Sequence, residues 1–332
     1  MATVNWSNVV PTRRNGSFLL TQVPADVYRM VFDHLPCTTN VDLSTLKIDE
    51  IRQYKSDLRV LCLVCRLFYA LCSAKLFQCV ALDGRSRATD FKTYSTYKWY
   101  LKATEGDEAA LIHMGHVKSI TVASWESQRS DGTWLEPRCK LMLKQMLPAC
   151  IHLNTLTFTA TPVPGRIIET LFCLPHLRNL TFQSCRIGAT AYPANHFTVP
   201  LKATFPPLEK LAIIRCTIAG IHCAAFVQLA SESSSLKSLQ VTNREIGLQI
   251  LERNPNMQLL VLGIPIMAND AHAISKYLNN TPNLSNLTLS NADDEFIPPI
   301  NLNLHPGALP VLEDLTCCPS LAIRLLITVV DH

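Results

Sequence analysis

Glycine is scarce in this chain, at 11 of 332 residues. None of the 11 falls in a G-x-G-x-x-G, P-loop or G-x-S-x-G pattern, and no H-E-x-x-H occurs. Loops that cradle phosphate, and elbows that present a nucleophilic serine, need glycine at fixed offsets. Their absence leaves the ten histidines and 13 cysteines without a recognisable nucleophile context, and a non-enzymatic role is expected. The chain also lacks any run of about 18 apolar residues that would cross a bilayer. Its first residues, MATVNWSNVVPTRRNGS, have no apolar stretch behind a basic start, so no secretory signal is read. Charge is thin as well. Charged residues make up 17% of the chain, with a net charge of +4 and a pI near 8.4, too mild for a strongly basic nucleic-acid binder.

What is present is apolar material, at 48% of residues, enough for a sizeable core and too much for disorder. With no secretory signal, the scattered cysteines read as small buried hydrophobes of a reduced compartment, cytoplasm or nucleus. Cys62-Leu-Val-Cys65 is a C-x-x-C, but it falls inside an apolar helical stripe and no second pair stands at zinc-site spacing. Packing is the expectation there, and at Cys317-Cys318, with no metal and no cofactor.

Residues 1–17 read as a leader without periodicity. Pro24 suits a first helical position, and Val27, Met30, Val31 and Leu35 follow at helical spacing. Pro36 closes that helix. Residues 37–56 form a polar insertion. A second amphipathic segment begins after Asp57, a candidate N-cap, with Leu58, Leu61, Val64, Cys65 and Phe68 on one face. Residues 18–78 are thus expected to be a small all-α module with too much apolar surface for its size. Further on, Arg85 to Lys102 interleaves basic and aromatic residues. A single-strand stacking platform and a helix packed on the first strands both fit it, and the stripe Phe91, Tyr94, Leu101 favours packing.

From 79 to 332 the chain repeats. The frame L-x-x-L-x-apolar recurs at Leu153-Leu156-Phe158, Leu177-Leu180-Phe182, Leu208-Leu211-Ile213 and Leu236-Leu239-Val241. It returns at Met257-Leu260-Leu262, Leu284-Leu287-Leu289 and Leu312-Leu315-Cys317, with Val117-Ile120-Val122 as an earlier member. First positions from 153 to 312 step by 24, 31, 28, 21, 27 and 28 residues, around the about 20–29 residues of a leucine-rich repeat. Cys185 and Cys216 occupy the late position that turns the chain by bonding a neighbouring coil. Helical stretches are expected at Arg166 to Leu174, Ile221 to Ser231, Glu245 to Arg253 and Asn269 to Leu278. The fold class is therefore α/β, a solenoid with a parallel inner sheet and outer helices.

Strand alternation exposes Asn179, Thr181, Gln183, Ser238, Gln240 and Thr242 on the concave face, a neutral, hydroxylated surface. It also exposes Ile214, Leu259 and Val261, an apolar patch where water is expected. Two explanations stand open: a substrate-docking site, or a cover supplied by the Pro-rich insert around Tyr192 to Pro207.

Val23-Pro24-Ala-Asp-Val27, a helix ending at Leu35-Pro36, then Asp57-Leu58 and Leu63-Val64-Cys65-Arg66-Leu67-Phe68, resemble an F-box. Joined to the repeats, and to Leu312-EDLTCCPS-Leu321, the whole is similar to the F-box/leucine-rich-repeat proteins abundant in fungi. The resemblance implies that the module docks on the Skp adaptor of a cullin–RING ubiquitin ligase through Pro24, Val27, Leu35, Leu58, Val64, Cys65 and Phe68. It implies too that the repeats hold a protein substrate. Two departures stand out: Val-Pro replaces the usual opening Leu-Pro, and the 37–56 insertion is longer than the usual link. A repeat scaffold with no ligase partner, its helices capping the solenoid, is the alternative. The apolar end, Leu325 to His332, reads either as a cap that folds back or as a truncation.

Overall fold

The computed structural model describes residues 26–28, 30, 56, 58–64, 66–83, 102, 105–124, 146–188, 205–291, 302–305 and 307–317. Residues 1–17, Pro24, Leu35, Cys65 and Cys318 lie outside the described residues. So do the 37–56 insertion apart from Ser56, the 85–102 segment apart from Lys102, most of the 192–207 insert and the last residues, 325–332.

Helix α1 (Arg66–Gln78) runs directly into strand β1 (Cys79–Asp83). There follow α2 (Glu108–Met114), β2 (Ser119–Ala123), β3 (Thr155–Thr159), β4 (Pro162–Val163) and α3 (Gly165–Leu171). Next come β5 (Asn179–Gln183), β6 (Arg186–Ile187), β7 (Lys210–Ile214), β8 (Thr217–Ile218), α4 (Gly220–Ser231), β9 (Ser238–Val241) and α5 (Arg244–Arg253). The described part ends with β10 (Val261–Ile266), α6 (Ala271–Asn279), β11 (Asn286–Asn291) and β12 (Asp314–Cys317). Nine strands form one sheet in the order β1-β2-β3-β5-β7-β9-β10-β11-β12, and every pairing is parallel. Sheet order equals chain order, so each strand returns to the sheet one place along. The result is a solenoid-like α/β fold with a helix in most of the later crossovers. A second small sheet, β4-β6-β8, lines up the chain just past the main strands.

The register makes every coil present the same positions to the core. Leu180 pairs with Leu156 on one side and Leu211 on the other, and Phe182 with Phe158 and Ile213. All of these side chains are buried. The Phe158 and Phe182 rings stack at 5.2 Å, and Phe226 of α4 meets Phe182 edge-on at 5.4 Å. The strand that opens the sheet follows the same rule: Val80 and Leu82 pair with Ile120 and Val122 and are buried. The repeat frame therefore begins one coil earlier than the leucine pattern shows, at Phe77-Val80-Leu82.

After each of four strands the chain turns through a non-glycine residue in the left-handed region: Ser124, Ala160, Ser184 and Arg215, with φ between 45° and 57°. All four stand five residues past their strand's first residue. Their strain is repaid by hydrogen bonds to the next coil, Ser124 N–H to Thr159 O, Ala160 N–H to Gln183 O and Ser184 N–H to Ile214 O. One residue on, Thr161 Oγ1 and the Sγ atoms of Cys185 and Cys216 each bond the carbonyl two residues back. Cys216 Sγ also accepts the Cys185 N–H at 3.4 Å, so this position does link neighbouring coils. Bonding to Cys216 and burial together push the Cys185 thiol up.

Two buried polar groups tie the helical side together. Asp270 accepts from Arg244 Nε at 2.6 Å, from Arg244 Nη2, and from the Met267 N–H at 2.8 Å. His222 of α4 fills a cradle made by two glycines. A Cβ on Gly165 would stand 2.5 Å from His222 Cε1, and one on Gly188, at φ +78°, 2.1 Å from Cδ2.

Both sites respond to acid. Burial alone would raise the Asp270 carboxyl, but the Arg244 and Met267 hydrogen bonds outweigh it and hold it below the ordinary carboxylate value. Its stabilisation is complete above about pH 3.9 and disappears as pH falls through the lower folded value. Burial depresses His222, with nearby Glu169 opposing, so the unfolded chain binds the proton first. Stability therefore declines as pH drops below about 6.5. Asp270→Asn, which removes the carboxylate that Arg244 donates to, should cost about 1.5–3 kcal/mol at pH 7. Gly188→Ala should cost about 2 kcal/mol or more from strain and overlap. Urea midpoints at pH 7 and about pH 2 check both, and the Asp270→Asn variant should lose less on acidification than the unmodified chain.

Candidate functional site

Two surfaces could receive a protein: the helices before β1, and the concave face of the sheet. In the first, Leu58 and Cys72 are buried at 1% and 0% exposure, with Tyr28, Leu61, Cys62, Phe68, Leu71 and Leu76 packed around them. The Tyr28 and Phe68 rings meet edge-on at 5.5 Å. This small core is separate from the solenoid core, although α1 is continuous with β1 and Phe77 stacks on His113 of α2 at 4.2 Å. Burial raises the Cys62 thiol, with a hydrogen bond from Cys72 opposing, as suits a packed cysteine.

Around that core several described apolar side chains face water. Val27, Met30, Val60 and Tyr69 are exposed, Val64 is 61% exposed and Leu63 86%. Val60, Leu63 and Val64 follow at i, i+3, i+4. The helical turn of residues 58–62 closes there, through Leu63 N–H to Val60 O and Val64 N–H to Leu61 O. The residues expected at the adaptor thus divide. Val27 and Val64 are on the exposed set, Phe68 is half-buried against Tyr28, and Leu58 is interior, which corrects its assignment as a contact. Pro24, Leu35 and Cys65 lie outside the described residues. Met30, Val60, Leu63 and Tyr69 join the exposed set without having been expected as contacts. Met30 belongs to the stripe that Val27 opens, whereas Val60, Leu63 and Tyr69 are apolar residues off the stripe expected after Asp57, which a search for one apolar face passes over.

The concave face needs a larger correction. Leu259 is not on it: its exposure is 0%. Val261 pairs with Ser238 and Leu262 with Leu239, so the frame in this coil is Leu259-Leu262-Ile264, two residues later than Met257-Leu260-Leu262. Leu259 fills the position of Leu236 and Leu208, and Leu260 emerges at the sheet's rim. Ile214 and Val261 are half-buried and stand on β7 and β10 with β9 between them. Ala212, two residues before Ile214 on the same face of β7, is buried. The contiguous apolar patch therefore dissolves into two isolated side chains. What remains is polar and internally bonded, with Asn179 Nδ2 donating to Thr155 Oγ1 at 3.2 Å and Asn286 Nδ2 to Asp314 Oδ2 at 2.8 Å.

Among the described residues no group of three or more His, Cys, Asp or Glu is placed to hold a metal ion, and no helix is long and apolar enough to cross a membrane. The chain finds no match among protein-family models or among curated protein sequences.

Denaturation of two variants tests the corrected frame. Leu259→Ala should cost about 2–5 kcal/mol, as deletion of a buried leucine does, and Val261→Ala less than half of that. Equal losses would put Leu259 back on the surface.

Proposed function

We propose that this chain is a non-catalytic, substrate-recruiting subunit of a Skp–cullin–F-box ubiquitin ligase, working in the cytoplasm or nucleus. The helices before β1 act as its F-box, and the coils after them as leucine-rich repeats that hold a protein substrate. The observation that carries the reading is the exposed apolar set Val27, Met30, Val60, Leu63, Val64 and Tyr69 around a core whose buried side chains, among the described residues, are Leu58 and Cys72. Helices that keep so much apolar area in water fit helix-in-groove recognition, where the partner completes the core. The solenoid needs nothing from that face, because it has a continuous core of its own. Support for the repeat reading is the recurrence of Leu177, Leu208, Leu236, Leu259 and Leu284 at one buried register position. The chain's contribution to catalysis is then positional: it raises the substrate's effective concentration beside a ubiquitin-charged enzyme.

One observation favours the scaffold alternative. Helix α1 passes into β1 without a break, and Gln78 O accepts the Lys118 N–H at 2.8 Å, which is how an N-terminal cap would attach. Recovery of the Skp adaptor on the immobilised full chain separates the two. Leu63→Asp with Val64→Asp, both exposed, should abolish recovery without changing the circular dichroism spectrum. Recovery of the adaptor by the variant, or no recovery by the unmodified chain, would leave the scaffold reading.

A further inference from the structure

Strands β2, β3 and β5 begin at Ser119, Thr155 and Asn179, which are mutual partners in the sheet. Three residues before each stands a histidine: His116, His152 and His176. One residue before each stand Lys118, Asn154 and Arg178, with Lys118 and Arg178 exposed. The fold stacks these columns on one rim of the sheet. The His152 and His176 rings lie 6.1 Å apart and 25° from parallel, and His113 of α2 places its ring 6.3 Å from His116.

The next coils show what this rim pairs with. There Glu209 takes the place of Lys118 and Arg178. Arg178 Nη1 donates to it at 2.9 Å, and Lys237 approaches from the far side at 4.0 Å. Earlier along the rim no such carboxylate stands: no described acidic side chain is paired with His116, Lys118, His152 or His176. Apolar side chains flank the stripe in sequence, with Ile151 before His152 and Leu111 and Ile112 before His113, all exposed.

We propose that His116, Lys118, His152, His176 and Arg178 form a docking rim for an acidic polypeptide segment, held more tightly as His116 takes up a proton. Adjacent parallel strands stand about 4.8 Å apart, so three coils span about 10 Å. That length suits two or three carboxylates of an extended segment whose other side chains rest on the isoleucines. A nucleic-acid backbone would match the charge, but none of these residues is a Phe, Tyr or Trp that would serve as a stacking platform for bases.

The pH dependence follows from the groups that face one another. Burial, then His152 and Lys118, disfavour the cationic form of His116, and burial with His116 does the same for His113. The thiol of Cys150, in the turn before His152, is pushed up to about 12 by burial and carries no charge. Phe77 covers His113 with a neutral ring, Glu108 sits in the opposite, first turn of α2, and Glu209 is engaged by Arg178 and Lys237. Protonating His116 without a counter-anion sets its charge beside that of Lys118. A bound carboxylate removes that penalty, so binding and proton uptake strengthen each other.

The test is the affinity of the full chain for a synthetic peptide of alternating Asp and Leu, by fluorescence anisotropy at constant ionic strength. Aspartate stays ionised at about pH 5.8. Uptake of one proton strengthens binding about tenfold per pH unit, so affinity should rise about tenfold or more from about pH 7.5 to pH 5.8. His116→Gln should flatten that dependence while leaving binding at the higher pH, and Lys118→Ala with Arg178→Ala should weaken binding at both values. Should a variant misfold, the unmodified chain still answers, because bound peptide should slow histidine acylation by diethyl pyrocarbonate. Absent or pH-independent binding, an unchanged pH slope in the histidine variant, unprotected histidines, or tighter capture of a single-stranded oligonucleotide would each overturn the proposal.

Discussion

One carbonyl oxygen per coil holds the array together. Lys118 O accepts the amides of both Asn154 and Thr155, and Asn154 O those of Arg178 and Asn179. Arg178 O then takes Glu209 and Lys210, Glu209 O takes Lys237 and Ser238, and the pattern continues through Lys237, Leu260 and Ser285. The acceptor stands one residue before each strand, and it fixes where the next strand begins. Because side chains alternate along a strand, a slip of one residue would send every leucine of that coil into water. Core leucines, left-handed turns and the histidine row all inherit their alignment from this bond.

The leucine period announces an α/β repeat, and the helices expected from it come close: Ile221 to Ser231 against Gly220–Ser231, and Glu245 to Arg253 against Arg244–Arg253. Their legibility rests on apolar spacing, reinforced in α5 by Asn243, whose side chain accepts the Ile246 N–H at 3.1 Å. Leu259 is illegible for the opposite reason. Residues 259 to 262 read Leu-Leu-Val-Leu, so two frames satisfy the same pattern, and only pairing with β9 chooses between them. The opening coil is hidden because Phe77 lies inside a helix and Cys79-Val-Ala-Leu82 contains only one leucine. Cross-coil rows such as His116, His152 and His176 are invisible until the register is known, since they lie 36 and 24 residues apart.

The helices before β1 show how far helical period alone can mislead. Leu58, Leu61, Val64, Cys65 and Phe68 suit one face of an unbroken helix. The chain instead turns at Leu63 and Val64, and the turn rotates α1 relative to the residues before it. Leu58 goes inward with Cys72, while Val64 goes out with Leu63. Two adjoining helices can bury one shared face and still leave another apolar face uncovered. The separation between the small core and the solenoid core then makes the N-terminal segment an attachment whose burial can be completed from outside without repacking the coils.

Sheet order that equals chain order has a mechanical corollary. Each strand is bonded only to the coils just before and after it, so tension along the chain meets the coils one after another and never loads the whole sheet at once. Extension from either end should peel them away serially, as a zipper opens, with each released coil lengthening the tether by its own contour. The strand-to-strand step varies from 23 residues between β9 and β10 to 40 between β1 and β2. The spacing of successive rupture events would therefore give the coil lengths in the order of release.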